Sequence, residues 1–281
     1  MSGGCARSAQ RPLRGGISHH AGASFRGNTG YAWTPGGIAG DRVGGIIVTT
    51  FVLVHGAWRG GWVWKRVRPL LARGGHDVFT PTLTGVGDRS HLNAPSVDLE
   101  THITDVMNLL RWEELDDVVL CGHSYAGCVV TGVADRMPER VRALVYLDAF
   151  VLDDGQSLHD TLPPEQREAQ IAGAREHGDG WKAPPIPAEF FNVGPEDRAW
   201  VDAQGTMQSL ATFQQRLRLT GGVERVRRSY VLATDFPATP FRQFYDRAKA
   251  KGWKTLTVAC GHDAMLARPA DIARILLDAA G

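Results

Sequence analysis

The sequence predicts a single α/β domain in which helices cover both faces of a mostly parallel sheet. Short apolar segments alternate with amphipathic helical segments, as expected for a parallel sheet that is buried on both sides. Two of the apolar segments run into a potentially reactive side chain, Ser124 after one segment and His262 after another. The alternation stops once, in a long proline-bearing stretch between residues 150 and 228.

The first half of the chain contains three predicted strands and two predicted helices. The apolar run Phe51-Val52-Leu53-Val54 predicts the first strand, and apolar residues at helical spacing predict a helix over 61–73. A short strand over 77–80 and a long loop follow. An apolar stripe that starts at Leu99 predicts the second helix, which leads into the strand before Ser124.

The second half contains three more predicted strands, at Val141–Leu147, 229–234 and 253–259. A helix over Pro269–Ala280 is predicted to complete the domain. The intervening stretch combines helix-like pieces with many prolines and aromatic residues. We therefore interpret this stretch as an insertion into the alternating pattern.

The segment around Ser124 has the residue types that a nucleophile elbow needs. An apolar run ends at Gly122, Ser124 follows within a turn, and a helix-like stretch starts near Ala126. A strained turn brings backbone atoms close together, so small residues are needed on both sides of the serine. Ala126 stands where the last glycine of the G-x-S-x-G pattern usually lies, and alanine is the smallest replacement.

The chain order serine, acid, histidine completes the pattern. His262 follows a strand-like run just before the last helix. Asp148 closes the predicted strand Val141–Leu147, and Asp235 follows the next strand, so either could orient the histidine. The same order occurs in Ser-His-Asp hydrolases with this kind of sheet.

From these residues the chain resembles the α/β-hydrolase superfamily, and within it the branch of plant methylesterases, hydroxynitrile lyases and bacterial esterase relatives. The resemblance runs from about Thr49 to the C-terminus and rests on Leu53-Val54-His55-Gly56-Ala57-Trp58, Gly60-Gly61-Trp62, the Ser124 turn and His262-Asp263-Ala264-Met265. It implies an α/β-hydrolase fold over residues 47–281. It also implies a helical cap inserted after the sixth strand of the family's fold, here the predicted strand Val141–Leu147, and we place this cap at 151–228.

The resemblance also implies roles for individual residues. Ser124 corresponds to the nucleophile and His262 to the general base, while the backbone amides of Ala57 and Tyr125 match the oxyanion hole. The usual acid of the family falls at Phe236, one place after Asp235. Some α/β-hydrolases take the acid from the preceding strand instead, which favours Asp148 slightly over Asp235.

The function that this resemblance implies is hydrolysis of a small carboxylic ester through an acyl-enzyme intermediate. Related hydroxynitrile lyases carry a lysine after the histidine and a threonine at the position of Gly56, whereas this chain has Asp263 after His262. A lyase of that type is therefore the alternative, and a small-molecule receptor without turnover is another. His55 is expected to order the loop beside Ala57 rather than to transfer protons.

Composition restricts partners and location. The net charge is +1, and the first 42 residues contribute +4, so the rest sums to −3, which gives no reason to expect nucleic-acid binding. No apolar run is long enough to cross a membrane.

No metal-ligand spacing or phosphate-binding motif indicates a cofactor or metal. Three of the four cysteines lie in or beside predicted core elements, which favours a reduced, cytoplasmic protein. The sequence is compatible with a homodimer.

Residues 1–46 differ from the rest of the chain. They are rich in Gly, Ser and Arg and have no periodic apolar face, which predicts a flexible N-terminal extension. They lack the apolar core of a secretory signal. We expect the extension to be dispensable for activity, and translation from upstream of the true initiation site would account for it.

Overall fold

The computed structural model describes residues 42–43, 46–236 and 239–281. The strands, numbered in chain order, are β1 (Arg42–Val43), β2 (Ile46–Ile47), β3 (Thr50–Val54), β4 (Asp77–Phe79), β5 (Val118–His123), β6 (Val141–Leu147), β7 (Lys182–Ala183), β8 (Gln208–Ser209), β9 (Arg227–Ala233) and β10 (Lys254–Val258). The α-helices are α1 (Arg68–Arg73), α2 (Leu99–Trp112), α3 (Ala126–Arg136), α4 (Pro164–His177), α5 (Pro195–Gln204), α6 (Ala211–Gln214), α7 (Arg242–Ala250), α8 (Ala264–Ala267) and α9 (Pro269–Ala280). Short 3-10 helices span Gly61–Arg66, Gly87–Leu92, Pro138–Arg140, His159–Thr161 and Gly222–Arg225.

Six strands form the central sheet in the order β10-β9-β6-β5-β3-β4. All five pairings in this sheet are parallel, which confirms the predicted sheet. Two antiparallel pairs, β1 with β2 and β7 with β8, lie outside it. In a parallel sheet all strands end at the same edge, so the residues that follow β3, β5, β6 and β10 are brought together there.

The sheet is covered on both faces, as predicted, because alternate residues of each strand point to opposite sides. In β3, Val52 and Val54 belong to the core formed with α2, α3 and α7. Phe51 and Leu53 belong to the core on the other face, formed with α1 and α9. All four side chains are fully buried.

The predicted helix over 61–73 forms in two pieces. A 3-10 helix spans Gly61–Arg66 and α1 begins only at Arg68, with Pro69 in its first turn. Proline has no backbone N–H, so it cannot continue an α-helical hydrogen-bond ladder from the preceding turn. The bounds predicted for β6 and α9 agree with the structure.

The segment after β6 contains helices α4, α5 and α6, in agreement with the predicted helical cap. It also contains the β7–β8 pair, which the sequence analysis did not predict. The predicted extension 1–46 lies outside the described residues except for Arg42, Val43 and Ile46, which belong to the β1–β2 pair.

Candidate active site

Ser124 occupies the sharp turn between β5 and α3. Its φ is 55°, a left-handed conformation that is strained for a residue with a Cβ. The surrounding backbone holds it there: Ser124 N donates to Leu147 O at 3.2 Å, and Ser124 O accepts from Phe150 N at 3.1 Å. Strand β6 and the loop after it therefore fix the strained turn that presents the serine.

The small residues around Ser124 are required by close packing. A Cβ on Gly122 would lie 2.6 Å from Val130 Cγ2 and 2.7 Å from Ala126 O. A Cβ on Gly127 would lie 2.0 Å from Phe150 O. Ala126 itself is fully buried, so its methyl group is accommodated where the pattern usually has glycine.

His262 lies in the turn after β10 and contacts an acid from another strand. Its Nδ1 donates to Asp148 Oδ2 at 2.7 Å, and both side chains are buried. Asp148 Oδ1 also accepts from Ala233 N at 3.1 Å, which fixes the carboxylate. Burial raises the pKa of Asp148 above its ordinary value, although the hydrogen bond from His262 acts in the opposite direction. With Nδ1 donating, Nε2 of neutral His262 is left as the basic atom.

The other candidate acid, Asp235, lies elsewhere. It is exposed, its Oδ1 accepts from Thr234 Oγ1 at 3.0 Å, and its backbone N donates to Cys260 O at 3.0 Å. The next residue, Phe236, is buried, with its ring centroid 5.4 Å from that of His262. Of the two aspartates, only Asp148 therefore contacts the histidine.

The two predicted oxyanion-hole amides have no acceptor in the part of the chain that the structure describes. Neither Ala57 N nor Tyr125 N donates a hydrogen bond there, although both residues are buried. Both residues line the same pocket as Ser124. Buried N–H groups are rarely left unpaired, so these two donors suit an acceptor that arrives with a ligand.

The loop that carries Ala57 is held from two directions. His55 Nε2 accepts from Leu83 N at 3.0 Å, which leaves the ring proton on Nδ1 to be donated to Gly56 O at 2.8 Å. Burial lowers the pKa of His55 to about 4, so the ring is neutral near pH 7. Trp58 N donates to Gln208 Oε1 at 2.8 Å, from β8 of the cap. His55 thus orders the loop, as the sequence analysis expected.

Next to Ser124 lies a pocket with a largely aromatic wall. Most of its wall comes from the cap and from the loops around His262, and its apolar lining includes Trp58, Phe150, Leu158, Ile186, Phe191, Phe213, Phe236 and Phe241. Gln166 and Gln170 of α4 supply polar groups. His159 Nε2 lies 2.9 Å from Gln170 Oε1 and fixes that side chain. A small, largely apolar ligand fits such a pocket.

A buried polar cluster near Ser124 was not predicted. Arg59 Nη2 donates to Asp263 Oδ2 at 3.4 Å, and each of these two side chains is only 3–4% exposed. Burial is the largest single effect on the pKa of Asp263 and raises it, but Arg59, His123 and His262 together lower the pKa below its ordinary value. His123 Nε2 donates to the carbonyl oxygen of His262 at 3.0 Å, which leaves Nδ1 unprotonated.

His123 is neutral despite its carboxylate neighbour. Its Nε2 lies 4.0 Å from Asp263 Oδ1. Burial, reinforced by the nearby His262, lowers the pKa of His123 to about 3. The contact is therefore not an ion pair near neutral pH, and Arg59 remains the charged partner of Asp263.

Residues 51–275 match the sequence profile of the alpha/beta hydrolase family. The chain belongs to this family. The carbendazim hydrolyzing esterase of Nocardioides sp. (strain SG-4G) is 46% identical to this hydrolase over 239 residues, which cover 82% of this chain and 98% of the esterase. The α-hydroxynitrile lyase of Arabidopsis thaliana is 35% identical over 105 residues, which cover 37% of this chain and 40% of the lyase.

A solved structure confirms the fold of the hydrolase. An extracellular alpha/beta-hydrolase from a Paenibacillus species superimposes with a TM-score of 0.72 at 23% identity, covering 82% of this chain and 98% of that protein. Together with the relatives, this confirms the predicted resemblance to the branch of esterases, methylesterases and hydroxynitrile lyases.

The parts of the hydrolase site that depend on contacts between residues far apart in the sequence were not predicted. Arg59 and Asp263 lie 204 positions apart, and Trp58 and Gln208 lie 150 apart. The one local hint was that Arg59 directly follows the His55–Trp58 motif and Asp263 directly follows His262.

The described residues of the hydrolase include no cluster of three or more His, Cys, Asp or Glu side chains that could hold a metal ion. Among them there is also no helix long and apolar enough to cross a bilayer.

Proposed function

We propose that this protein is a serine esterase that hydrolyses small carboxylic esters through an acyl-enzyme on Ser124. The observation that carries the proposal is the 2.7 Å hydrogen bond from His262 Nδ1 to Asp148 Oδ2, beside a serine held in a strained elbow. The bond fixes the tautomer of His262, so its Nε2 is the base. Ser124 and His262 line one cavity.

Acylation begins when His262 Nε2 takes the proton of Ser124 Oγ as that oxygen attacks the carbonyl carbon. Negative charge then develops on the former carbonyl oxygen. The amides of Ala57 and Tyr125 are the donors available to it, and one such donor contributes about 3–4 kcal/mol to catalysis. His262 passes its proton to the departing alcohol as the C–O bond breaks.

Deacylation repeats these steps with water as the nucleophile. Water loses a proton to His262 Nε2 while its oxygen attacks the acyl carbon, and the bond to Ser124 Oγ then breaks. Buried Asp148 orients the ring and stabilises the imidazolium in both halves of the reaction.

The pocket supports substrates with a flat apolar acyl group. Its wall is mainly aromatic, and Gln166 and Gln170 are polar side chains on its lining besides Ser124 and Tyr125. The 46% identical relative is a carbendazim hydrolyzing esterase, which supports ester hydrolysis and makes carbendazim a candidate substrate. Carbendazim and esters of aromatic acids are therefore the first compounds to test.

The lyase alternative has less support. A threonine at position 56 would need a Cβ, which would lie 2.9 Å from Ser124 Cβ and 3.0 Å from His123 Nδ1. Asp263, where the lyases have lysine, is held by Arg59. The intact Ser124 and His262, with Asp148 hydrogen-bonded to the histidine, favour turnover over simple retention of a ligand.

The test is hydrolysis of carbendazim and of a panel of aromatic and short-chain p-nitrophenyl esters. Wild type should turn over at least part of the panel, and Ser124→Ala should lose this activity. Ser90→Ala is the matched control, because Ser90 is exposed on a 3-10 helix. Cleavage of mandelonitrile without ester hydrolysis would support a lyase. A burst without steady-state turnover would support a receptor.

A further inference from the structure

Two chambers meet at Ser124. One is the aromatic pocket, and the other is a small cavity lined by Gly56, Ala57, Trp58, Arg59, His123, Ser124, Phe191, His262 and Asp263. The enclosed space of the small cavity is about that of one water molecule. Among the described residues, His262 lines the small cavity and does not line the aromatic pocket.

Two lining residues of the small cavity each have one buried polar atom without a partner among the described residues. Arg59 Nη1 is a charged donor, and His123 Nδ1 is an acceptor because Nε2 carries the ring proton. Arg59 is 3% exposed and His123 is 1% exposed. Leaving such groups unsatisfied is costly, so a ligand that offers both an acceptor and a donor is favoured here.

Water fits this pair of atoms better than an alcohol does. Its oxygen can accept from Arg59 Nη1, one hydrogen can go to the base His262 Nε2, and the second can be donated to His123 Nδ1. An alcohol carries an alkyl group in place of the second hydrogen, which would leave His123 Nδ1 unpaired.

We infer that Arg59 and His123 form a binding site for the water that hydrolyses the acyl-enzyme, and that His123 makes the site select water over small alcohols. The inference rests on the proposed esterase function. In this step an O–H bond of the held water breaks and its proton goes to His262 Nε2. The water oxygen bonds to the acyl carbon, the acyl C–Oγ bond breaks, and the proton passes to Ser124 Oγ.

The first test is the fate of the acyl group when p-nitrophenyl benzoate is hydrolysed in the presence of methanol. Chromatography measures methyl benzoate against benzoate. In wild type, transfer per mole of methanol should be lower than transfer per mole of water. His123→Leu should raise the ratio of methyl benzoate to benzoate about tenfold, the size expected for losing one buried hydrogen bond. This ratio counts only turnover events, so it does not depend on the fraction of folded enzyme.

The second test measures decay of the acyl-enzyme by intact-protein mass spectrometry. Arg59→Met should slow the decay about tenfold, because a hydrogen bond from a charged donor is lost, and Arg59→Lys should restore part of the rate. Arg274→Met is the matched control, since Arg274 is 70% exposed. Only acylated molecules are followed, so partial misfolding does not change the rate constant.

Any one of three results overturns the water site. They are preferred transfer to methanol in wild type, an unchanged ratio of methyl benzoate to benzoate in His123→Leu, and an unchanged decay rate of the acyl-enzyme in Arg59→Met. If wild type hydrolyses esters normally in any of these cases, the esterase function still stands. If wild type forms no acyl-enzyme and releases no p-nitrophenol, the esterase function fails and the water site fails with it.

Discussion

Gln208 accepts a hydrogen bond from the backbone N–H of Trp58 at 2.8 Å, with both residues buried. Its amide nitrogen donates in turn to Thr212 Oγ1 at 2.9 Å. The cap therefore does more than cover the pocket. It fixes the residue next to Ala57, whose amide is one of the proposed oxyanion donors.

We predict that Gln208→Leu lowers kcat by up to about 10²-fold with a smaller change in KM, because misplacing a catalytic group by about 1 Å has an effect of this size. Trp58 N would also be left buried without an acceptor, which should lower the free energy of unfolding by about 1–3 kcal/mol. Steady-state kinetics and urea denaturation measure the two effects. Gln243→Leu, at an exposed position on α7, is the control. Equal kcat values for both variants would contradict this role.

Asp148→Asn should lower kcat by about 10⁴-fold, the effect of reversing the tautomer of the base in a Ser-His-Asp site. Asp235→Asn should stay near wild type, because Asp235 is exposed and contacts Thr234 rather than His262. Ester turnover by the two purified variants decides between the acids. A large loss in Asp235→Asn and a small one in Asp148→Asn would reverse the assignment.

His55 should make stability depend on pH. Its pKa is lowered from 6.5 to about 4 by burial, so between these values the unfolded chain binds more protons than the folded protein. Its stabilising contribution is complete above about pH 6.5 and is lost as the pH falls towards 4, with a slope of up to about 1.4 kcal/mol per pH unit.

Urea denaturation between pH 4.5 and 7 measures this slope. His55→Gln should show a shallower dependence, because the titrating group is gone while an amide oxygen can still accept from Leu83 N. His177→Gln, at an exposed position, should keep the wild-type slope. A slope that does not change in His55→Gln would show that other groups control stability in this range.

Gly122→Ala should destabilise the protein by about 1–3 kcal/mol, the usual cost of overpacking a core. The added methyl group would meet Val130 Cγ2 at 2.6 Å and the Ala126 carbonyl at 2.7 Å. Gly173→Ala is the control, because its methyl group would meet only Pro184, at 3.3 Å. Urea midpoints compare the variants, and similar midpoints would show that the elbow relaxes easily.

Elements with local sequence features were predictable from the sequence. Strand β6 is a continuous apolar run, and α9 begins at Pro269 and carries an apolar stripe, so their bounds could be placed to the residue. The Ser124 elbow was predictable because strain and close packing limit the residue types around it. The 3-10 helix over Gly61–Arg66 was missed because apolar spacing alone does not separate it from an α-helix.

The identity of the acid beside His262 and the existence of the Arg59–Asp263 cluster could not be predicted, because both depend on where side chains point in three dimensions. Asp148 and Asp235 both follow strands of the same sheet, and only the fold shows that one of them contacts His262. Arg59 and Asp263 lie far apart in the sequence, and no periodic pattern links them.

The position of the acid has a consequence for how substrate range can diverge. The acid that contacts His262 is Asp148, on the loop after β6, so position 236 does not need to carry a carboxylate. It carries a phenylalanine that lines the aromatic pocket. The loop after β9 can then change the shape of the binding surface without altering the proton-transfer pair. We therefore expect substitutions at residue 236 to alter substrate preference while the pair of His262 and Asp148 is preserved.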